Sequence, residues 1–193
     1  VLFVTPANLR EQWQDIMRHF FHLDVRIMSS RHRRKLEREL LAGGDPWGHF
    51  PYLIVSMDYA KQPHVIQQIS QYDWDVVVID EAHNVAKPHQ NVLGTKPFMQ
   101  RWELAKILAD KAKHFLLLTA TPHNGYRDSY ASLLKMLNPD IVSGQIPDIK
   151  IDKSLARRHV CQRRRSDIQE WFKEAQQEET PFPKRNHKEE FIM

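Results

Sequence analysis

The sequence predicts an α/β domain built on a mostly parallel sheet, and two observations carry that prediction. Apolar runs of strand length recur along residues 1–120, and segments with helical spacing of apolar residues separate them. The clearest run, residues 76–79 (Val-Val-Val-Ile), shows no polar alternation, which is typical of a strand buried on both faces in the middle of a parallel sheet. Ligands of such sheets bind beyond the carboxyl ends of the strands.

Five strands and five helices are predicted in alternation. The strands are residues 1–4, 25–28, 52–56, 75–80 and 114–119, and the helical segments lie within 9–20, 31–41, 63–69, 102–112 and 130–137. Asn8 and Glu11 form a plausible capping pair at the first helix. Gly43 and Gly44 are expected to stop the second. Residues 84–97 are polar and are expected to be irregular.

The pattern changes near residue 145, where arginine, glutamine and glutamate replace the strand-like runs. We therefore predict a lobe over 1–145 and an arginine-rich, helical extension over 146–193. Residues 181–183 (Pro-Phe-Pro) are expected to be extended.

The composition excludes several classes of protein. The chain has 193 residues, a formal net charge of +4 and no apolar run long enough for a membrane span, and no signal peptide is visible. The single cysteine, Cys161, excludes an intramolecular disulfide framework and any zinc or iron–sulfur site that needs several cysteines. These features favour a reducing, cytoplasmic compartment.

Basic residues concentrate in two segments, which matters more than the small net charge. The two clusters are Arg31, Arg33, Arg34, Lys35 and Arg38, and Arg157, Arg158, Arg163, Arg164 and Arg165. Either cluster is a solvated helix face or a surface that contacts nucleic-acid phosphates, and composition alone does not choose between them.

Two adjacent carboxylates, Asp80 and Glu81, follow the most apolar strand. A carboxylate there can hold Mg²⁺, and its neighbour can orient and deprotonate an attacking water. An ordinary polar turn is the alternative. Residues 119–122 (Thr-Ala-Thr-Pro) end the next strand, and their hydroxyl groups can bind the carboxylates or a phosphate.

Other side chains have a structural interpretation beside the functional one. His19 and His22 lack a third metal ligand with suitable spacing, so solvated or packed histidines are favoured and zinc is not predicted. Trp13 and Trp102 have aliphatic neighbours at helical spacing, which favours the core over base stacking. Cys161 has no catalytic partner in the sequence.

Four motifs in order resemble the first RecA-like lobe of superfamily 2 helicases and translocases, a P-loop NTPase fold. Residues 80–83 (Asp-Glu-Ala-His, a DEAH box) match motif II, and 119–122 match motif III. Residues 4–6 with Leu9 and Trp13 look like motif Ia, and residues 54–59 look like motif Ib. Similarity to the SNF2-like group of double-stranded DNA translocases lies in residues 118–125 followed by 133–139, and in the arginine-rich stretch at 161–168.

The resemblance implies a role for each matched residue. ATP and Mg²⁺ would be the cofactors: Asp80 would coordinate Mg²⁺, and Glu81 would be the general base for the water that attacks the γ-phosphate. His83 would link the nucleotide site to motif III. The motif III residues that would couple ATP state to DNA grip are Thr119, Ala120 and Thr121, and the residues that would hold DNA phosphates are Thr5, Pro6, Ser56, Arg31 and Arg34.

The sequence also departs from the family. It contains no Gly-Lys-Thr or Gly-Lys-Ser phosphate loop, and the second RecA-like lobe with its arginine finger is absent. Truncation upstream of Val1 is the favoured explanation and a degenerate protein the alternative. We expect the 193-residue chain alone to hydrolyse no ATP.

The function predicted from the resemblance is ATP-dependent movement along double-stranded DNA. The alternatives are the motor of a restriction enzyme or strand-separating helicase, and a non-catalytic nucleic-acid-binding module. The expected partners are double-stranded DNA, bound without sequence preference, and RNA polymerase or subunits of a bacterial defence system. A membrane partner is not expected, and a cytoplasmic, nucleoid-associated location would follow.

Overall fold

A parallel sheet organises the protein. The computed structural model describes residues 1–40, 44–89, 96–122, 126–145, 147–163 and 165–174. Across these ranges five strands form one sheet in the order β2-β3-β1-β4-β5, and every neighbouring pair is parallel. The strands are β1 (Leu2–Thr5), β2 (Arg26–Met28), β3 (Leu53–Ser56), β4 (Trp74–Ile79) and β5 (Ala112–Leu117). The predicted parallel sheet is confirmed.

Helices connect the strands as the apolar spacing predicts, but the predicted capping pair of Asn8 and Glu11 does not form: the N-cap of the first helix is Leu9, and no side chain caps it. The helices are α1 (Arg10–Phe21), α2 (Ser30–Glu39), α3 (Pro46–His49), α4 (Met57–Ala60), α5 (Pro63–Ile69), α6 (Lys96–Lys111) and α7 (Arg127–Leu137), followed by α8 (Lys153–His159) and α9 (Arg165–Glu174). Short 3₁₀ turns occupy Ala7–Leu9, Ala82–Val85 and Pro139–Ile141. Gly43, the predicted stop of α2, lies outside the described residues. None of the described helices combines the length and the hydropathy that crossing a bilayer requires.

The core lies on both faces of the sheet, as alternation along β1 illustrates. Leu2 and Val4 belong to the larger cluster, which includes Leu104 and Leu108 of α6. Phe3 points to the opposite face and joins a smaller cluster against which α1 packs. This two-sided burial explains why the strands read as continuous apolar runs.

One expectation about burial is wrong. The sequence predicted that the strand ending in motif III is buried, but in the described sheet β5 is an edge strand and its side chains are intermediate or exposed. Leu116 is 43% exposed and Leu118 beyond the strand is 38% exposed. An edge position alone does not expose a strand, because Ile27 and Met28 of β2, the other edge strand, are buried. The exposure of β5 therefore reflects how little packs over its own side chains.

The chain divides into two compact units, 1–156 and 157–193. The sequence placed the boundary near residue 145, whereas the first unit continues through a hairpin of β6 (Val142–Ser143) and β7 (Lys150–Ile151). The hairpin stays with the lobe because Val142 packs in a cluster with Ala131 and Leu134 of α7. The functional assignment of lobe and extension stays a prediction.

The second unit contains α9 and all five arginines of the second basic cluster. The guanidinium of Arg163 lies 5.1 Å from the centre of the Trp171 ring, and Cys161 is exposed. Residues 181–183, predicted to be extended, lie outside the described residues, as does Arg164.

Candidate active site at the carboxyl edge of the sheet

The parallel strands bring the motif residues to one edge of the sheet. Thr5 is aligned with Ser56 at the ends of β1 and β3. The backbone continues the pairing beyond β4, because the Asp80 N–H donates to the Val4 carbonyl over 2.9 Å. The Ala82 N–H donates to the Leu118 carbonyl over 2.8 Å, so motif II is joined directly to the segment that leads into motif III.

Both carboxylate oxygens of Asp80 accept hydrogen bonds. Oδ1 accepts from the backbone N–H of Glu81 at 2.9 Å, and Oδ2 accepts from Trp13 Nε1 at 2.8 Å. The Trp13 ring also packs on Phe3, with ring centres 5.7 Å apart. The two donors fix the orientation of a half-buried carboxylate, and hydrogen bonds to a charged acceptor are the stronger kind.

Sequence reasoning missed the role of Trp13 as a partner of Asp80. It assigned Trp13 to the core, which the contact with Phe3 supports in part. The indole N–H was the available signal, since a half-buried indole usually finds an acceptor. The partner lies 67 residues away, so periodicity along the chain does not identify it.

Glu81 occupies a strained backbone conformation. Its φ is 51° and its ψ is 49°, in the left-handed region that costs a residue with a Cβ about 1–2 kcal/mol. The Asp80 carboxylate holds this turn by accepting the Glu81 N–H, and the Glu81 carbonyl accepts from Asn84 Nδ2 at 3.2 Å. Strain held in this way by neighbouring bonds is common at functional sites.

His83 bridges the two motifs. Its Nδ1 lies 3.1 Å from Thr119 Oγ1 and 3.2 Å from Glu81 Oε2. Thr119 Oγ1 in turn accepts the Thr121 N–H at 3.1 Å. The imidazole therefore contacts both the acidic pair and motif III, while Ala120 and Thr121 are exposed. The coupling role of these residues stays a prediction.

The hydroxyl groups expected to hold DNA phosphates lie inside the protein. Thr5 and Ser56 are the last residues of their strands, not loop residues, and they are 1% and 4% exposed. Thr5 Oγ1 donates to the Pro6 carbonyl, and Ser56 Oγ caps α4 by accepting the Tyr59 N–H. Burial and internal hydrogen bonds thus occupy both hydroxyls, in contrast to the accessible loop positions that the sequence predicted, and phosphate contact by these residues stays a prediction.

Arg31 and Arg34 remain exposed on α2. Because β2 is parallel to its neighbours, the start of α2 lies at the same carboxyl edge as the motif residues. Ser29 fixes that start by accepting the His32 N–H at 3.2 Å. Among the described residues neither arginine is in an ion pair, whereas Arg33 pairs with Glu37 at 2.7 Å. The edge thus carries two arginines for which the described part of the chain supplies no carboxylate partner.

The acidic pair fits a magnesium–nucleotide complex but not an all-protein metal site. Within the described ranges no group of three His, Cys, Asp or Glu side chains is arranged to hold a metal ion. Mg²⁺ needs only one or two carboxylates when phosphate oxygens and waters complete its shell. Each oxygen of Asp80 accepts one hydrogen bond, which leaves a lone pair for a metal or a bound water. Among the described residues, Asp80 therefore fits as a protein ligand of the ion.

A family model for the SNF2-related domain matches residues 1–149. The chain belongs to the SNF2-related family. The RNA polymerase-associated protein RapA of Photobacterium profundum is 31% identical over 141 residues, and that of Vibrio parahaemolyticus is 31% identical over 144. RapA of Yersinia pestis is 28% identical over 141 residues. Each alignment covers 72% of this SNF2-related chain and 14% of the relative.

A solved structure supports the fold of this SNF2-related chain. The helicase domain of Hef from Pyrococcus furiosus superimposes with a TM-score of 0.51 at 17% identity, over 75% of this chain and 31% of that one. The predicted resemblance to SNF2-like members of superfamily 2 and the predicted RecA-like α/β fold are therefore confirmed.

Proposed function

We propose that the chain forms part of the motor of an SNF2-like, ATP-dependent translocase that moves along double-stranded DNA. The observation that carries this proposal is the junction of the acidic pair with motif III, where His83 contacts both Glu81 and Thr119. A nucleotide-dependent change at the acidic pair would reach motif III through a single side chain.

The residues divide the work of hydrolysis as follows. Asp80, oriented by two donors, would hold Mg²⁺, which when bound neutralises phosphate charge. Glu81 would accept the proton of the attacking water, and its half-exposed side chain is open to solvent. The Thr119 hydroxyl would sense the state of the site through His83.

The chain alone is expected to hydrolyse no ATP, because its 193 residues include no Gly-Lys-Thr or Gly-Lys-Ser loop to hold the β- and γ-phosphates. Turnover assayed with the purified chain should stay at the background of a Glu81→Gln variant. Turnover that the variant abolishes would contradict this expectation.

DNA binding would use Arg31 and Arg34, which are exposed at the carboxyl edge. Contacts to phosphates carry no sequence information, so Arg31→Gln and Arg34→Gln should weaken binding of unrelated duplexes by similar factors. Each lost phosphate contact should reduce the magnitude of the slope of log binding constant against log salt concentration by about 1. Arg18→Gln, which removes an exposed arginine of α1, is the matched control. Unchanged affinity and slope in both edge variants would contradict this assignment.

Movement along the duplex is tested with the full-length parent. A translocase should displace the third strand of a triplex in an ATP-dependent manner while the underlying duplex stays intact, and Glu81→Gln should abolish the displacement. Separation of the duplex strands would support the strand-separating alternative. Duplex binding without ATP-dependent displacement would support the non-catalytic module.

RNA polymerase is a proposed partner, supported by the names of the RapA relatives alone. Co-purification of the full-length parent with RNA polymerase from the same organism tests this, and failure to co-purify in the presence and absence of DNA would contradict it. A cytoplasmic, nucleoid-associated location accompanies the proposal.

A further inference from the structure

A second concave site lies away from the motifs, between α6, α7 and the β6–β7 hairpin. We call it the lysine groove, because Lys87, Lys106 and Lys135 all line it. Its volume is about 780 Å³, within the range of sites that bind small molecules or peptide side chains. None of the residues assigned to motifs Ia, Ib, II or III lines the groove.

The groove carries an excess of positive charge. All three lysines are exposed, and in the part of the chain that the structure describes none of them forms an ion pair. Two carboxylates also line the groove, but Asp128 is already engaged by His89 Nδ1 at 2.8 Å. Three ammonium groups therefore face one uncommitted carboxylate, that of Asp110.

Two of the three ammonium groups, those of Lys87 and Lys106, are held in place before any ligand arrives. Lys87 and Lys106 place their Nζ atoms 5.4 and 5.0 Å from the centre of the Trp102 ring, in cation–π contact. The backbone of Lys87 is clamped by α7, because Ser132 Oγ accepts its N–H and Ser129 Oγ donates to its carbonyl, both over 2.8 Å. Less side-chain freedom is then lost on binding.

The walls between the lysines combine apolar and polar groups. Ala131 and Val142 are buried there, Met136 and Ile149 are half-buried, and Ser132 is among the polar residues of the lining. A groove that offers apolar contacts beside three lysines matches a peptide that carries apolar anchors on one face and carboxylates beside them. In this arrangement an amphipathic helix would lie in the groove, and pairing between its carboxylates and the lysines would set the orientation of the peptide.

Nucleic acid fits this surface less well than an acidic peptide. Surfaces that bind single strands stack bases on free aromatic rings, whereas two ammonium groups already lie over Trp102. Duplex interfaces are highly polar, whereas part of this lining is apolar. Arginine, the residue suited to bidentate phosphate contact, is absent from the lining residues that the structure describes.

We propose that the lysine groove binds an acidic amphipathic peptide segment of a partner protein. Apolar side chains of the peptide fill the space between α6 and α7, and its carboxylates pair with the three lysines. Peptide binding at this site does not require ATP hydrolysis, so the proposal can be tested separately from the proposed motor function.

The test uses the 193-residue chain and a short fluorescein-labelled peptide in which leucines recur at helical spacing among glutamates. Fluorescence anisotropy should show saturable binding that Lys106→Glu with Lys135→Glu weakens by at least about tenfold. Lys113→Glu, an exposed lysine of β5 outside the groove, should change the affinity by less than about twofold. Circular dichroism confirms that these surface variants stay folded.

Two further peptides and a coupling experiment separate the outcomes. Replacing the glutamates by glutamine, or the leucines by serine, should each abolish binding. Carbodiimide coupling should link peptide carboxylates to Lys87, Lys106 or Lys135. Equal binding by the double variant, equal binding by the glutamine peptide, or coupling confined to other lysines would overturn the proposal. If the wild type binds no peptide and the double variant loses binding to duplex DNA, the groove would instead be a nucleic-acid surface.

Discussion

The hydrogen bond between Trp13 and Asp80 should stabilise the lobe measurably. The sequence motifs alone do not predict this bond. Trp13→Phe keeps an aromatic ring against Phe3 but removes the Nε1 donor that lies 2.8 Å from Asp80 Oδ2. Hydrogen bonds to charged groups contribute about 1.5–3 kcal/mol. Because both side chains are half-buried, we expect a value at the lower end of that range.

A double-mutant cycle isolates this bond from the other contacts of either residue. Trp13→Phe, Asp80→Ala and the double variant should show a coupling in the free energy of unfolding of about 1–2 kcal/mol, measured by urea denaturation at pH 7. Trp102→Phe combined with Asp80→Ala is the matched control, because Trp102 has no hydrogen bond with Asp80. Its coupling should stay below about 0.5 kcal/mol, the error of additivity.

The result that refutes this reasoning is additivity of Trp13→Phe and Asp80→Ala. Single effects that sum within about 0.5 kcal/mol would mean that water replaces the indole at no cost. The orientation of the Asp80 carboxylate would then depend on the Glu81 N–H alone.

Three further predictions concern the site and its surroundings. Glu81→Gly should be more stable than Glu81→Ala by about 1 kcal/mol, because glycine adopts the left-handed backbone at 81 without strain; equal urea midpoints would contradict this. Ser129→Ala should lower the free energy of unfolding by about 1–2 kcal/mol, because the Lys87 carbonyl loses its donor; an unchanged urea midpoint would contradict this. The hydrogen bond from Lys61 holds the pKa of Asp58 below 3.8, so its contribution is present above that pH and is lost as the pH falls through the folded-state pKa. Asp58→Asn should therefore flatten the acid limb of stability against pH, and an identical limb would contradict the prediction.

Local patterns predicted the fold well because the sheet is buried on both faces. Runs such as 76–79 are apolar only where helices cover the strand, and the structure buries Val77, Val78 and Ile79. A continuous apolar run also led to the wrong prediction that β5 is buried, because the run at 115–118 does not reveal which strands lie beside it. Position within a sheet is set by pairing across the whole chain and not by local sequence.

The candidate site was predictable to the extent that its motifs are contiguous. Asp80 and Thr119 could be placed at one edge from the parallel topology alone. The left-handed turn at Glu81 depends on tertiary packing and has no local signal. The indole N–H of Trp13 indicates that an acceptor exists, but the sequence does not show that the acceptor is Asp80. Burial of Ser56 was missed for a related reason: a hydroxyl at the end of a strand serves equally as a helix cap or as a ligand.

The measurement that tests the central claim most directly is ATPase activity of the full-length parent with and without double-stranded DNA. We expect turnover that duplex DNA stimulates, that Glu81→Gln abolishes with DNA binding retained, and that Glu103→Gln, an exposed glutamate of α6, leaves unchanged. Absence of turnover in the intact wild type, or full activity in Glu81→Gln, would contradict the assignment of this chain to an ATP-driven motor.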